Sequence, residues 1–422
     1  LVPLVVLVWS LIAGLMFIGP IGKLTASNME ESNRKNGVLI EAIDGIESIK
    51  ATAAEWKLLD RWRRLTAIIS DSELRLRWLQ TLSTNLTQLL QQFSYVGLVA
   101  AGAYAVAAGD LTMGGLIACS IISGRALAPI AQIPGLISQW KHAQIALKSL
   151  DAIMAMPSDR EADARLVIPE RCAGELKADK LTFAYKTERP AITVPSLSFS
   201  PGERVAILGA IGSGKSTLIK LLSGLYRPTS GELFLDGVDL THLATEYVRE
   251  HVGYLPQDVR LFQGTLRENI TLGLPTPPDS QILQAAAWTG LDAVIRQHPK
   301  GLELDISEGG RGLSGGQRQL VGLTRMLLAK PRIMLLDEPT ASMDGNTESR
   351  VIRHLFQEVA NDSILVVVTH KTALLPLVSR IIVVDNGQIL LDGPRDQVLA
   401  RLRQASTAAH SSSASASHEV KA

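Results

Sequence analysis

Cysteine is almost missing from these 422 residues: Cys119 and Cys172 are the only two. One lies in an apolar stretch and the other in a polar one, which excludes a disulfide framework and fits a reducing or membrane setting. Net charge is also missing. The 42 basic side chains against 41 acidic ones leave +1, so no nucleic-acid partner is expected. A secretory signal pattern is absent too, because the opening LVPLVVLVWSLIAGLMFIGPIG has no basic region ahead of its apolar run. Nor does the sequence begin with Met. Leu1 already sits inside that run, so the sequence reads as a fragment or processed piece of a longer protein. The length suffices for two or three domains with cores of their own.

What is present begins with apolar length. Residues Leu1 to Gly22 carry no charge; at ~1.5 Å rise per helical residue they reach roughly 33 Å, enough to cross a bilayer. A buried core helix is the alternative. A second uncharged stretch runs from Trp78 to Gly109, and a third apolar segment from Leu111 to Trp140 contains one charge, Arg125. Three spans are expected. The segment 23–85 between the first two carries Lys23, Arg34, Lys35, Lys50, Lys57, Arg61, Arg63, Arg64, Arg75 and Arg77, whereas the short loop at Asp110 carries no basic residue. By the positive-inside rule the first is cytoplasmic and the second outside. Helical spacing and mixed charge in 23–85 predict two helical extensions of the spans, joined by a turn near Ala51–Glu55. Arg125 either faces a bundle interior or watery cavity, or snorkels to the headgroups; Pro129 and Pro134 suggest kinks in the same helix.

A polar, Pro-punctuated stretch over 157–175 reads as linker. From Leu176 short apolar strands alternate with helices, as in an α/β domain with a largely parallel sheet. The low-complexity end is expected to be disordered, with His410 and His418 incidental rather than metal ligands.

Chemistry concentrates in the α/β part. RVAILGAIGSGKSTLIKLL reads strand, glycine-rich loop, helix, and fits G-x-x-x-x-G-K-S/T in the context that motif needs. Gly209, Ala210, Ile211, Gly212, Ser213 and Gly214 would curl backbone N–H groups around phosphates. Lys215 would reach the β and γ oxygens, Ser216 could ligate Mg²⁺, and Thr217 follows on the helix. RIMLLDEPTASMD sets a hydrophobic strand before Asp337, placed to hold Mg²⁺ through water, and Glu338, placed to polarise an attacking water; helix capping is the competing role for both. His370 ends another apolar strand, where ligands gather in α/β sheets, and is read as a γ-phosphate contact. Gln257 could reach Mg²⁺ or the attacking water, and Tyr185 could stack on adenine or merely pack in its strand. A second candidate anion cradle, Leu313 to Gln317, opens a long helix with Ser314, Gly315, Gly316 and Gln317, yet it lacks a lysine.

In this order, Tyr185, Gly209 to Ser216, Gln257, Leu313 to Gln317, Asp337 with Glu338, Ser342-Met343-Asp344 and His370 resemble the nucleotide-binding domain of ABC transporters. With spans ahead of it, the chain resembles an ABC exporter half-transporter. That resemblance implies an all-α transmembrane domain over 1–145 holding the last three of six spans. It further implies a linker over 146–175, an α/β P-loop NTPase domain over 176–405 and a tail over 406–422. It also implies ATP and Mg²⁺ as cofactors and a homodimer in which Ser314 to Gln317 hold the γ-phosphate bound at the partner's Lys215. The Asp344 loop would cross the same interface, so an isolated soluble domain should hydrolyse ATP cooperatively or poorly. A coupling helix near Ala51–Arg61, and Glu308 as the residue sensing it, are implied likewise.

The stretches GVLIEAIDGIESIKATAAEW, SGRALAPIAQIPGLISQWKHAQIALKSLDAIMAMP and VGYLPQDVRLFQGTLRENI most resemble type I secretion ATPases, which export unfolded proteins such as RTX toxins and large adhesins. The implied setting is the inner membrane, with a periplasmic adaptor, an outer-membrane channel, a secreted protein cargo and surrounding lipid. A peptide or bacteriocin exporter with an N-terminal peptidase, or a lipid or drug exporter, are the alternatives. Met343, and Lys186 where proline is common, depart from the usual pattern without touching the hydrolytic residues. A soluble ABC ATPase of DNA repair or translation is contradicted by the spans.

Overall fold

The computed structural model describes residues 2–127, 133–156, 158, 166–185 and 189–404. Pro129, Lys186, most of the stretch 157–165, and the tail with His410 and His418 lie outside the described residues. The chain divides into two compact units, Leu1–Asp159 and Arg160–Ala422.

The first unit is helical. α1 (Val2–Asp44) runs 43 residues with Pro20 inside it, α2 (Ile46–Ala51) is a short turn of helix, and α3 (Glu55–Ala107) runs 53 residues. α4 (Met113–Leu127) and α5 (Ile133–Met154) follow. The hairpin expected in 23–85 is present, since α1 and α3 continue well past their apolar stretches and reverse direction at Thr52–Ala54. The reversal places Ala53 at φ +51°. The buried residues of α1 and α3 include Ile21, Thr25, Val38, Ile69, Ser83, Thr87 and Ser94, small or hydroxyl side chains among them that let helix backbones approach. Arg61 on α3 reaches Glu41 on α1 at 3.4 Å, and the Lys35 ammonium lies 5.5 Å from the Trp62 ring centre.

Of the expected third span the structure describes α4 and α5, and residues 128–132 lie outside the described residues. Pro134 lies within α5, among its first described residues. Arg125 lies in the last turn of α4 and is exposed in the single chain. Among the described residues, α3 is long and apolar enough to cross a membrane, and Met113–Arg125 is a shorter apolar helix.

The second unit is built on a ten-stranded sheet. In chain order its elements are β1 (Leu176–Phe183), β2 (Ile192–Phe199), β3 (Arg204–Leu208), α6 (Lys215–Leu222), β4 (Ser230–Leu235), β5 (Val238–Asp239), α7 (Thr245–His251), β6 (Val252–Leu255), β7 (Gly264–Thr265), α8 (Leu266–Ile270), α9 (Asp279–Thr289), α10 (Asp292–Gln297), β8 (Asp305–Ile306), α11 (Gly315–Ala329), β9 (Ile333–Asp337), α12 (Gly345–Glu358), β10 (Ile364–Val368), β11 (Arg380–Asp385) and β12 (Gln388–Pro394). The sheet order is β5-β4-β1-β2-β12-β11-β3-β10-β9-β6, with β7 and β8 forming a separate pair.

The sheet is less parallel than its sequence suggests. β6, β9, β10, β3 and β11 run parallel, but β12 turns back on β11, and β2, β1, β4 and β5 pair antiparallel. The parallel strands are covered on both faces, which is why ILVVV and IMLLD read as unbroken apolar runs, every residue of both strands being buried. β1 lies in the antiparallel half and alternates instead.

The two faces carry different helices. On one, Val205, Ile207, Leu335, Val366 and Val368 join Leu218, Ile219 and Leu222 of α6. On the other, Ala206, Leu336, Leu365 and Val367 join Val321, Leu323 and Leu327 of α11. Successive strand side chains point to opposite faces, so α6 and α11 lie on opposite sides of the sheet.

Candidate active site

The loop from Gly209 to Gly214 links β3 to α6 by backbone that only small residues permit. A Cβ at Gly209 would collide with the Val384 carbonyl oxygen of β11. Gly214, the residue capping α6, sits at φ +103°, where glycine alone escapes a steric penalty. The tight turn between β11 and β12 braces the loop from below: Gly387 N donates to Ser213 O at 2.9 Å. Ala210, Gly212 and Ile211 form the exposed crest, Ile211 being 96% exposed.

Lys215 is buried beneath that crest, its ammonium donating to Gly209 O at 2.9 Å and Ala210 O at 2.7 Å. Burial pulls its pKa down, while the Glu338 and Asp337 carboxylates push it up. The Ser213 hydroxyl is buried without a partner. Tyr185 places its hydroxyl 3.0 Å from Thr217 Oγ1 and its ring edge-on to Phe183, yet remains 60% exposed. The ring is thus both packed and available to a flat ligand.

At the ends of β9 and β10 the acidic pair meets its neighbours. Asp337 is 3% exposed, and burial raises its pKa against a hydrogen bond from Ser216. Its Oδ1 has no hydrogen-bond partner. Glu338 occupies φ +48°, with its backbone N–H held by Val368 O at 3.0 Å. Its carboxylate accepts from Gln257 Nε2 at 3.0 Å and lies 3.4 Å from His370 Nε2. One carboxylate thus sits between a neutral amide and an imidazole, beside the phosphate loop. That set can position and deprotonate a water.

The orphaned Asp337 oxygen next to the Ser216 hydroxyl fits a hard divalent cation, which would fill out its shell with nucleotide oxygens and water. Among the described residues no group of three or more His, Cys, Asp or Glu could hold a metal by itself.

Leu313 to Gln317 stand apart from this constellation. Ser314 caps α11, its Oγ accepting from Gln317 N at 3.2 Å while Gln317 Oε1 accepts from Ser314 N at 2.9 Å, a reciprocal capping box. Gly315 and Gly316 pack on the turn at Ser342, and a Cβ at Gly316 would lie 2.6 Å from Ser342 O. Asp344 caps α12 by accepting from Asn346 N and Thr347 N at 3.1 and 3.0 Å; those bonds, Thr347 first, hold its carboxyl below the usual range.

Two residues of this region escaped the motif reading. Lys371 ties Thr340 O at 2.7 Å to Glu348 at 2.9 Å. Gln319, 3% exposed, bonds to the backbone of Gln257, Glu338 and Ser342, in two loops. The available signal for Gln319 was an amide at i−4 and i−7 from Leu323 and Met326, on the apolar face of α11.

Comparison with known proteins bears on the whole chain. The family model described as ABC transporter matches residues 192–341, and the one described as ABC transporter transmembrane region matches residues 1–127. The exotoxin translocation ATP-binding protein PaxB of Pasteurella aerogenes is 31% identical over 390 residues, covering 92% of this chain and 54% of the relative. The toxin RTX-I translocation ATP-binding protein of Actinobacillus pleuropneumoniae is 31% identical over 363 residues, covering 86% and 51%. The leukotoxin translocation ATP-binding protein LktB of Mannheimia haemolytica is 30% identical over 395 residues, covering 93% and 55%. The chain thus spans about half the length of the curated relatives it matches. A bacterial Atm1-family ABC exporter solved with ATP bound shares the fold, with TM-score 0.82 over 94% of this chain and 71% of that one, at 23% identity. This chain belongs to the ABC transporters and carries the transmembrane region and the ATP-binding ATPase domain of that family on one polypeptide.

Proposed function

We propose that the chain is the spanning and motor part of an exporter half-transporter, in which two copies clamp two ATP molecules and use their hydrolysis to move an unfolded protein out of the cell. One observation carries the two-copy reading. α6 and α11 pack on opposite faces of one sheet, so a nucleotide on Lys215 and an anion on Ser314 to Gln317 answer to different sides of the same domain. Two copies packed head to tail bring one of each together around a single γ-phosphate. The lysine absent from the second cradle is then supplied by the partner.

Within each site Lys215 and the loop N–H groups hold the phosphates, and Tyr185 takes the adenine. Glu338 receives the proton of the attacking water while Gln257 and His370 orient the carboxylate and the γ-phosphate. Mg²⁺, held by Ser216 and Asp337 with Gln257 in reach, would neutralise phosphate charge when bound. Hydrolysis removes the shared phosphate and releases the partner domain. The turn from Ala51 to Arg61 would carry that movement to the spans, with segment 23–85 and the ATPase domain in the cytoplasm and Asp110 outside the inner membrane.

The toxin-translocating relatives support protein as the cargo, and with it a periplasmic adaptor and an outer-membrane channel. Comparative mass spectrometry of culture medium, with and without the gene, tests the cargo class. Loss of one large, Gly- and Asp-rich secreted protein is expected. Loss of a short peptide would move the reading to a peptidase-bearing exporter, and an unchanged protein profile to lipids or drugs.

A further inference from the structure

Gln319 sits one helical turn into α11 with its carboxamide fully engaged. Nε2 donates to Gln257 O at 3.2 Å and to Glu338 O at 3.3 Å, and Oε1 accepts from Ser342 N at 3.1 Å. Two loops therefore meet on one side chain that is 3% exposed, the loop after β6 at Gln257 and the loop from β9 to α12 at Glu338 and Ser342. They carry the side chains that touch each other at the hydrolytic end, Gln257 Nε2 on Glu338 Oε2. The β9–α12 loop also carries, at Ser342, the turn against which Gly316 rests.

We infer that Gln319 is a positioning residue that ties the Ser314–Gln317 segment to the placement of Glu338 and Gln257. The inference rests on the two-copy reading above. Its physical basis is the close approach at Gly316. The segment abuts Ser342 closely enough that it cannot move inward without displacing that turn, and Ser342 N is bonded to the same amide that grips the peptides of Gln257 and Glu338. Glu338 holds a left-handed backbone, φ +48°, a conformation that persists only where neighbours over-determine it. Val368, accepting from Glu338 N, and Gln319, donating to Glu338 O, hold the residue on both sides. Occupation of Ser314–Gln317 by a nucleotide of the second copy would thereby set the geometry of hydrolysis in the first. A mere space-filling role would need no amide, and would place no demand on both its ends.

The test uses the full chain in lipid nanodiscs, with MgATP as the ligand. Gln319→Met keeps the volume and removes every hydrogen bond. The expected result is phosphate release lowered at least about tenfold, because a small misplacement of a reacting group is costly, with MgATP affinity and melting midpoint close to those of the parent. Turnover within about twofold of the parent overturns the inference, the difference being near the scatter of uncoupled sites. A drop in turnover matched by equal loss of affinity and melting midpoint also overturns it, since that is what a packing role would give. Gln319→Asn, polar but too short to span the three partners, decides by the same criteria if the Met variant does not fold. ATP-driven closure of the ATPase domains, followed by fluorescence transfer in the Glu338→Gln background, separates the two readings. No closure there sinks the two-copy reading itself. Closure there together with undiminished turnover in Gln319→Met sinks the role of Gln319 alone.

Discussion

Glu338 concentrates the backbone strain of the site. A left-handed conformation costs a residue with a Cβ roughly 1–2 kcal/mol, and here it turns the carboxylate toward Gln257 and His370 instead of along the strand. Glu338→Gln preserves shape and hydrogen-bonding reach but cannot accept a proton. It should bind MgATP as the parent does and release phosphate at least about a hundredfold more slowly; a filter-binding and phosphate-release pair measures both, and undiminished release would place the base elsewhere. Cys172 makes a second residue-scale case. Burial, and then the Asp236 carboxylate, push its thiol up to about 11, so near pH ~8 about one molecule in a thousand carries the thiolate. In a Cys119→Ser background Cys172 should resist iodoacetamide. Asp236→Asn should speed labelling several-fold, because the carboxylate holds the N–H groups of Ala173 and Glu175 at 2.8 and 2.7 Å. Mass spectrometry of the labelled peptide reads it out, and equal labelling rates would mean that those bonds do not keep the thiol covered.

At the scale of elements, α11 matters most because its N-terminus is both capped and crowded. Gly316→Ala would set a Cβ 2.6 Å from Ser342 O, so the turn must move. The expected cost is about 1–3 kcal/mol, in line with overpacking, seen as a lower melting midpoint together with slower phosphate release; an unchanged midpoint would show that the turn yields freely. The motif glycines, Lys215, Ser216, Asp337 and Glu338 were legible because each belongs to one continuous strand–loop–helix or strand–loop stretch. The contacts that brace them were not. Val384 and Gly387 belong to a hairpin distant in sequence, and Gln319, though its spacing from Leu323 and Met326 sets it on the apolar face of α11, carries no local sign of which loops it joins. The antiparallel half of the sheet was hidden for the same reason. Alternation in LKADKLTF announces a half-buried strand, but which neighbour it pairs with depends on long-range closure.

Across the whole molecule, the helical unit leaves large apolar side chains uncovered, Trp9 at 63%, Phe93 at 72% and Tyr104 at 81%, more than a single water-soluble body tolerates. Lipid and a second copy would cover them. The ATPase domain expressed by itself should hydrolyse ATP with a rate per molecule that rises with protein concentration if, as proposed, a second domain completes each site. Phosphate release measured across a dilution series checks this, and a rate strictly proportional to concentration with a Hill coefficient of one would mean that single domains are complete.

The sequence by itself determined the apolar stretches, the helical reversal and the order of the nucleotide motifs, because apolar length, charge placement and loop chemistry are local properties. Tertiary structure alone decided that α6 and α11 lie on opposite faces of one mixed sheet, and that one buried amide joins two loops. Both follow from strands far apart in the chain stacking side by side, where pleat and register, rather than any local preference, fix which side chains meet.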